Sequence, residues 1–223
     1  MTFIKKPIKQ GLYNPKNEHD SCGVGFVANI HGKKSHQIVQ QGLEILTNLT
    51  HRGATGYDPK LGDGAGILLQ LPDSFFRAEA KKLNINLPDE GYFGIGMLFL
   101  PQSEKNRKQC ETIVSQIIKE EGQEELGWRD VPVNNKDIAD AAKHVEPITR
   151  QVFIGRAAEV YSQDAFERKL FVIRKRAENA VAALDFKDPV KFYINSMSSR
   201  TIVYKGMLLA CEVGNYYQDL LQE

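Results

Sequence analysis

The sequence predicts an α+β domain built in layers, and three observations carry that reading. Helical and strand-like patterns are mixed along the chain. Strand-like runs fall too close together for strict βαβ alternation, as at Phe192 to Asn195 and Thr201 to Leu209. The chain has 223 residues, enough for one large domain or two small ones, and its 42% hydrophobic content supports a true core.

The elements follow in order. Residues 23–30 read as a strand, with apolar residues alternating after Cys22 and glycines where other groups must come close. Ser35 caps a helix through about Leu49, with Ile38, Leu43, Leu46 and Leu49 near helical spacing. A glycine-rich loop runs from Gly53 to Gly66, and Ile67 to Leu71 is a continuous apolar run suited to a central strand. Asp73 caps a helix through about Leu83. Tyr92 to Leu100 is a strand, and Ser103 opens a helix to Glu121 that Gly122 stops.

Residues 126–150 are less regular, with Trp128, Pro132 and a short helix near 137–143. Gln151 to Ile154 is a strand, and Asp164 to Leu184 a long helix. That helix carries Arg168, Lys169, Arg174, Lys175 and Arg176, interleaved with Glu167 and Glu178, which reads as a solvated face. Phe192 to Asn195 and Thr201 to Leu209 are strands, and Glu212 to Glu223 reads as the first part of a helix.

Composition excludes several function classes. A net charge of +1 gives no electrostatic reason to expect nucleic acid or a membrane surface. No apolar run approaches the ~20 residues that span a bilayer. Residues 1–21 carry Lys5, Lys6 and Lys9 without an apolar stretch, so they do not read as a secretory signal. The three cysteines are odd in number and widely spaced, which implies no disulfide framework and a reducing, cytoplasmic setting.

Cys22 sits in Asp20-Ser21-Cys22-Gly23-Val24-Gly25-Phe26. A thiol there is open to three roles: nucleophile, metal ligand or core residue. His19 and Cys22 have a His-x-x-Cys spacing, with His31 and His36 nearby, but no second cysteine pair completes a zinc pattern. Cys110 and Cys211 lie in apolar contexts and read as core. Gly62 to Gly66 is followed by an apolar strand instead of the helix a phosphate cradle needs, so it reads as a close turn.

Three pieces taken together, Cys22-Gly-Val-Gly-Phe, Leu49-Thr-His51-Arg52-Gly53-Ala54 and Gly62-Asp63-Gly64-Ala65-Gly66-Ile67, resemble the class II glutamine amidotransferases, an N-terminal-nucleophile family. Further segments resemble the glutamate synthases within it: Gly11-Leu-Tyr-Asn-Pro, Glu18-His-Asp-Ser, Thr55-Gly-Tyr-Asp-Pro, Phe166-Glu-Arg-Lys-Leu and Ser198-Ser-Arg-Thr-Ile-Val-Tyr-Lys-Gly-Met-Leu. The resemblance implies a four-layer αββα sandwich with two central sheets between helix layers. It implies a leader, 1–21, and an amidotransferase domain, 22–223, with Cys22 freed as the first residue. Cys22 would then attack the glutamine side-chain amide, with its own α-amino group as the base. Gly23 would let backbone and substrate approach, and Arg52 would support the nucleophile's surroundings or act as a structural hydrogen-bond hub.

Two later family motifs are not found in the chain. One is a His-Ser-Arg-Phe-Ser-Thr-like segment whose Arg clamps the glutamine carboxylate; the other is a His-Asn-Gly-like segment that forms the oxyanion hole. Ser198-Ser199-Arg200-Thr201 only superficially matches the first. The expectation is therefore a fold incomplete at its C-terminus, with unpaired sheet edges. No cofactor is expected in this chain; by resemblance, FMN and an iron–sulfur cluster belong to further glutamate synthase domains. The implied partners are glutamine, those domains or subunits, and an electron-donor subunit or ferredoxin. A second reading is a non-catalytic remnant or split fragment that acts as an interaction module.

Overall fold

The computed structural model describes residue 11 and residues 22–53, 58–184 and 186–222. In chain order the elements are α1 (His36–Asn48), β1 (Ala65–Gln70), α2 (Asp73–Lys82), β2 (Phe93–Leu100), α3 (Glu104–Glu120), β3 (Glu124–Asp130), α4 (Asp140–Lys143), β4 (Ile148–Gly155), α5 (Gln163–Ala182), β5 (Tyr193–Ser198), β6 (Thr201–Gly206) and α6 (Val213–Tyr216).

The Phe-Gly-Ile-Gly-Met-Leu-Phe-Leu run of β2 is buried at every position but Phe99, so both of its faces must be covered. It is the second strand in from one edge of an antiparallel sheet ordered β3-β4-β2-β5. Alternation assigns the faces. Leu98, Leu100, Val152, Ile154 and Ile194 pack with Cys110, Val114 and Ile118 of α3 and Phe166, Leu170 and Ile173 of α5. Gly94 permits this approach, since a side chain there would begin 2.6 Å from Leu170 Cδ1. The opposite face presents Phe93, Ile95, Met97 and Phe153 to Ile202 and Tyr204 of β6. β6 pairs antiparallel with β1 from Ala65↔Gly206 to Gln70↔Thr201, making a second, two-stranded sheet. A helix layer, a sheet and a second sheet are thus stacked, and α1 packs on the inter-sheet core through Val39, Leu43 and Leu46.

The chain crosses between sheets at Ser199–Arg200. Glu167 of α5 holds that crossing, accepting from the Ser198 hydroxyl (2.9 Å), the Ser199 backbone N–H (2.6 Å) and the Ser199 hydroxyl (2.6 Å). The inter-sheet core also holds charge. Arg129 of β3, 4% exposed, donates to Glu79 of α2 (Nη2, 2.7 Å), to both oxygens of Asp219 (2.8 Å each) and to Gln151 (3.0 Å). The Tyr204 hydroxyl donates to Asp219 as well, at 2.9 Å. Burial opposes the Arg129 charge, but the hydrogen bonds and charges of Asp219 and Glu79 outweigh it and hold the guanidinium above its ordinary value.

Several expectations change. Residues 22–29 form no strand, and Val24, Phe26 and Ile30 are about nine-tenths exposed. Alternation sets a strand's faces but supplies no partner. Asp73 does not cap α2; Pro72 holds the cap position and Asp73 pairs with Arg77 at 2.7 Å. β3 occupies part of the stretch read as irregular. The helix expected from Glu212 breaks at Tyr217 (φ −90°, ψ 101°), which leaves the helix to bridge Val133 and donate its hydroxyl to the Lys205 carbonyl. The basic residues of α5 are only partly solvated: Lys169 and Arg176 pair with Glu121, at the C-terminal cap of α3, and Arg174 and Lys175 with Glu178. The mixed, antiparallel α+β character holds. The leader apart from Gly11, and with it His19, the Ala54–Tyr57 stretch and Glu223 lie outside the described residues.

Candidate functional site

The site is built on one ridge of α1. Gly25 lies over Ile45, where a side chain would begin 2.4 Å from Ile45 Cγ2. Gly23 lies over the next turn, its side-chain direction 3.1 Å from Leu49 Cβ and 3.2 Å from Arg52 Cβ. The segment after Cys22 therefore runs antiparallel along the helix, and glycines are what let it lie so close. Beyond α1 the chain makes a 3-10 turn, Thr50–Arg52, in which Arg52 N–H donates to the Leu49 carbonyl and Gly53 N–H to Thr50. His51 Nδ1 lies 3.0 Å from the Asn48 carbonyl.

A second loop meets that turn. A side chain at Gly53 would begin 3.7 Å from Asp63 Oδ1. Gly62, beside Asp63, is buried against the backbone of Leu208 and Leu209; a Cβ there would fall 2.3 Å from the Leu208 carbonyl. The close turn read from Gly62 to Gly66 is therefore a turn wedged against the segment after β6. Cys22, Gly23, Arg52 and Asp63 thus gather at the start of β1. Asp63 escapes sequence reading, because its nearness to Gly53 exists only once the loop is seated.

The three thiols differ in surroundings. Cys22 is exposed. Cys110 is fully buried in α3, and burial, with Glu111 and Asp188 adding to it, pushes its thiol up to about 12. It is core, as expected. Cys211 is exposed instead of core, because its 3-10 turn lies on the surface side of the chain.

Arg200 is not at this site. Its backbone carbonyl accepts from Leu71 N–H beyond the far end of β1, and its guanidinium pairs with Asp164. Gln70 pairs Thr201 at that end and Ala65 pairs Gly206 at the other, so the Ser-Ser-Arg-Thr block is about 17 Å along the strand from the site. Among the described residues no group of three or more His, Cys, Asp or Glu is placed to hold a metal, and no helix is long and apolar enough to cross a membrane.

A profile of the class-II glutamine amidotransferases matches residues 22–223, beginning at the cysteine of the site. The chain belongs to that family. It is 49% identical over all 223 of its residues to the glutamate synthase [NADPH] large chain of Bacillus subtilis, covering 14% of that protein. It is 41% identical over 95% of its length to the glutamate synthase [NADPH] large chain of Azospirillum brasilense, and 41% over 96% to the ferredoxin-dependent glutamate synthase 2 of Arabidopsis thaliana. It spans only 14% and 13% of those two proteins.

Proposed function

We propose that this chain is the glutamine amidotransferase part of a glutamate synthase and that Cys22 is its nucleophile. The observation that carries the reading is an exposed thiol at the first residue of the family match, followed by a glycine seated on Arg52.

The chemistry follows from the groups. The Cys22 sulfur attacks the side-chain amide carbon of glutamine. A C–S bond forms, the C–N bond breaks, and nitrogen leaves as ammonia with the thiol proton. Water then cleaves the thioester, releasing glutamate and restoring the thiol. Removal of residues 1–21 supplies an α-amino group on Cys22, with an ordinary pKa of about 8, to take that proton. Gly23 leaves room for the substrate, and Arg52 holds the turn beside it. The released ammonia serves the amination of 2-oxoglutarate elsewhere in a longer protein, where flavin and iron–sulfur groups reside. Ferredoxin or a pyridine-nucleotide-linked subunit supplies the electrons there, as the relatives' names suggest for those proteins.

The competing reading is an interaction module without catalysis, and it draws on the distance of Arg200 from Cys22. The test uses the full-length protein. Cys22→Ala should abolish glutamine-dependent glutamate formation and spare ammonia-dependent formation, and the active protein should begin at Cys22 by intact mass. Glutamine-dependent turnover surviving in Cys22→Ala would end the assignment.

A further inference from the structure

The segment from Met207 to Leu221 is a strap with two seats. Its near end carries the backbone of Leu208 and Leu209 that Gly62 presses against, and the Gly206 carbonyl lies 3.6 Å from the side-chain direction of Gly64. Its middle packs on α1, with Gly214 against Leu43. Its far end carries Asp219, which accepts from both Nη atoms of Arg129 and from Tyr204. Val213, Tyr216 and Tyr217 lie buried between the seats, and Leu220 is buried just beyond the far one.

We propose that Asp219, gripped by Arg129, is a remote positioning residue for the Cys22 site. The contacts form an unbroken series. Asp219 sets where the strap ends; the strap's backbone supports Gly62 to Gly64; Asp63 in that loop meets Gly53; and Arg52 beside it meets Gly23, next to Cys22. The strap meets Gly62 and Gly64 through backbone, which cannot swing aside, and the later links run through Asp63 Oδ1 and Arg52 Cβ beside glycines. A change at Asp219 is passed on as movement of the loop. Such a series is a physical route, and it becomes coupling only when a perturbation at one end is read at the other.

Asp219→Asn is the decisive variant. Its amide keeps one acceptor, but in either orientation its NH2 group faces a guanidinium N–H of Arg129, donor against donor. Hydrogen exchange on the folded 223-residue chain should rise by about tenfold or more in 206–222 and in 58–66, while α3 and α5 stay within about twofold. Glu167→Gln, which loosens an equally bonded carboxylate at the other end of β1, should leave 58–66 unchanged. A trifluoromethyl tag on Cys22, in a Cys211→Ser background, should shift its fluorine resonance in Asp219→Asn and not in Glu167→Gln. Exchange confined to 206–222, a uniform rise across the chain, or an unmoved Cys22 resonance would each overturn the proposal. If Asp219→Asn does not fold, Tyr204→Phe removes a single donor to Asp219 and should raise exchange in the same two stretches by about threefold; no rise in 58–66 would overturn the proposal equally. The proposal rests on the functional reading only in calling the near end a site. These readouts need no turnover, so they can fail while Cys22 chemistry stands, and the reverse.

Discussion

Replacing Arg129 by Met tests whether the charged cluster in the core is held by its charge. The guanidinium is 4% exposed and serves Glu79, 12% exposed, and Asp219, 1% exposed. Met fills much of the space but leaves Asp219 to the Tyr204 hydroxyl and Glu79 to Lys82, with no guanidinium between the two carboxylates. Breaking a buried pair from one side costs about 3–5 kcal/mol. For a chain of this size that is a fall in Tm of about 6–20 °C. The pH dependence identifies the cause. Burial pushes Glu79 up, but hydrogen bonds from Lys82 and Arg129, and their charges, outweigh it and hold its pKa below the ordinary 4.5. In the native chain its contribution is therefore full above that value and is lost as pH falls through the lowered one. In the variant the Arg129 share is gone, and a stranded buried carboxylate is relieved by taking up a proton. The stability gap should thus be widest at pH 7 and narrow toward about pH 4. Urea and thermal unfolding of both proteins across that range would measure it. A gap that stays constant with pH would refute the electrostatic reasoning and assign the loss to Arg129 packing over the Phe75 ring, 5.6 Å away.

Two further outcomes follow from the same geometry. Iodoacetamide should modify Cys22 and Cys211 in the folded chain and reach Cys110 only on unfolding, so intact mass should show two adducts natively and three in urea; native modification of Cys110 would contradict its buried setting. Gly62→Ala should lower stability by about 1–3 kcal/mol, because the new methyl meets the Leu208 backbone and not a movable side chain; an unchanged urea midpoint would mean that the loop does not bear on the strap.

The sequence by itself determined the elements whose cause is local. The nine-residue run from Tyr92, the stop at Gly122 (φ +71°) and the long period of α5 each signal an element within one stretch of chain. It also read the glycines near Cys22 as points of close approach, while the grouping of Cys22 with Gly23 and Arg52 came only from resemblance to the family. Only the tertiary structure decided what approaches them: Ile45, Leu49 and Arg52 of one helix and its turn. The alternation after Cys22 could not become a strand alone, because a strand needs a neighbour for its backbone groups and none of the described residues offers one. β3 was illegible for the converse reason. Glu124-Glu-Leu-Gly-Trp-Arg-Asp alternates poorly, and its arginine is buried only because Asp219, 90 residues away, and Glu79, 50 residues away, arrive to share its charge. The sequence had already set Arg200 apart from a substrate clamp, and the strand register places it at the far end of β1. Periodicity, caps and turns are written in neighbouring residues; which charges are paired and which thiol stays in reach depend on groups that only the folded chain brings together.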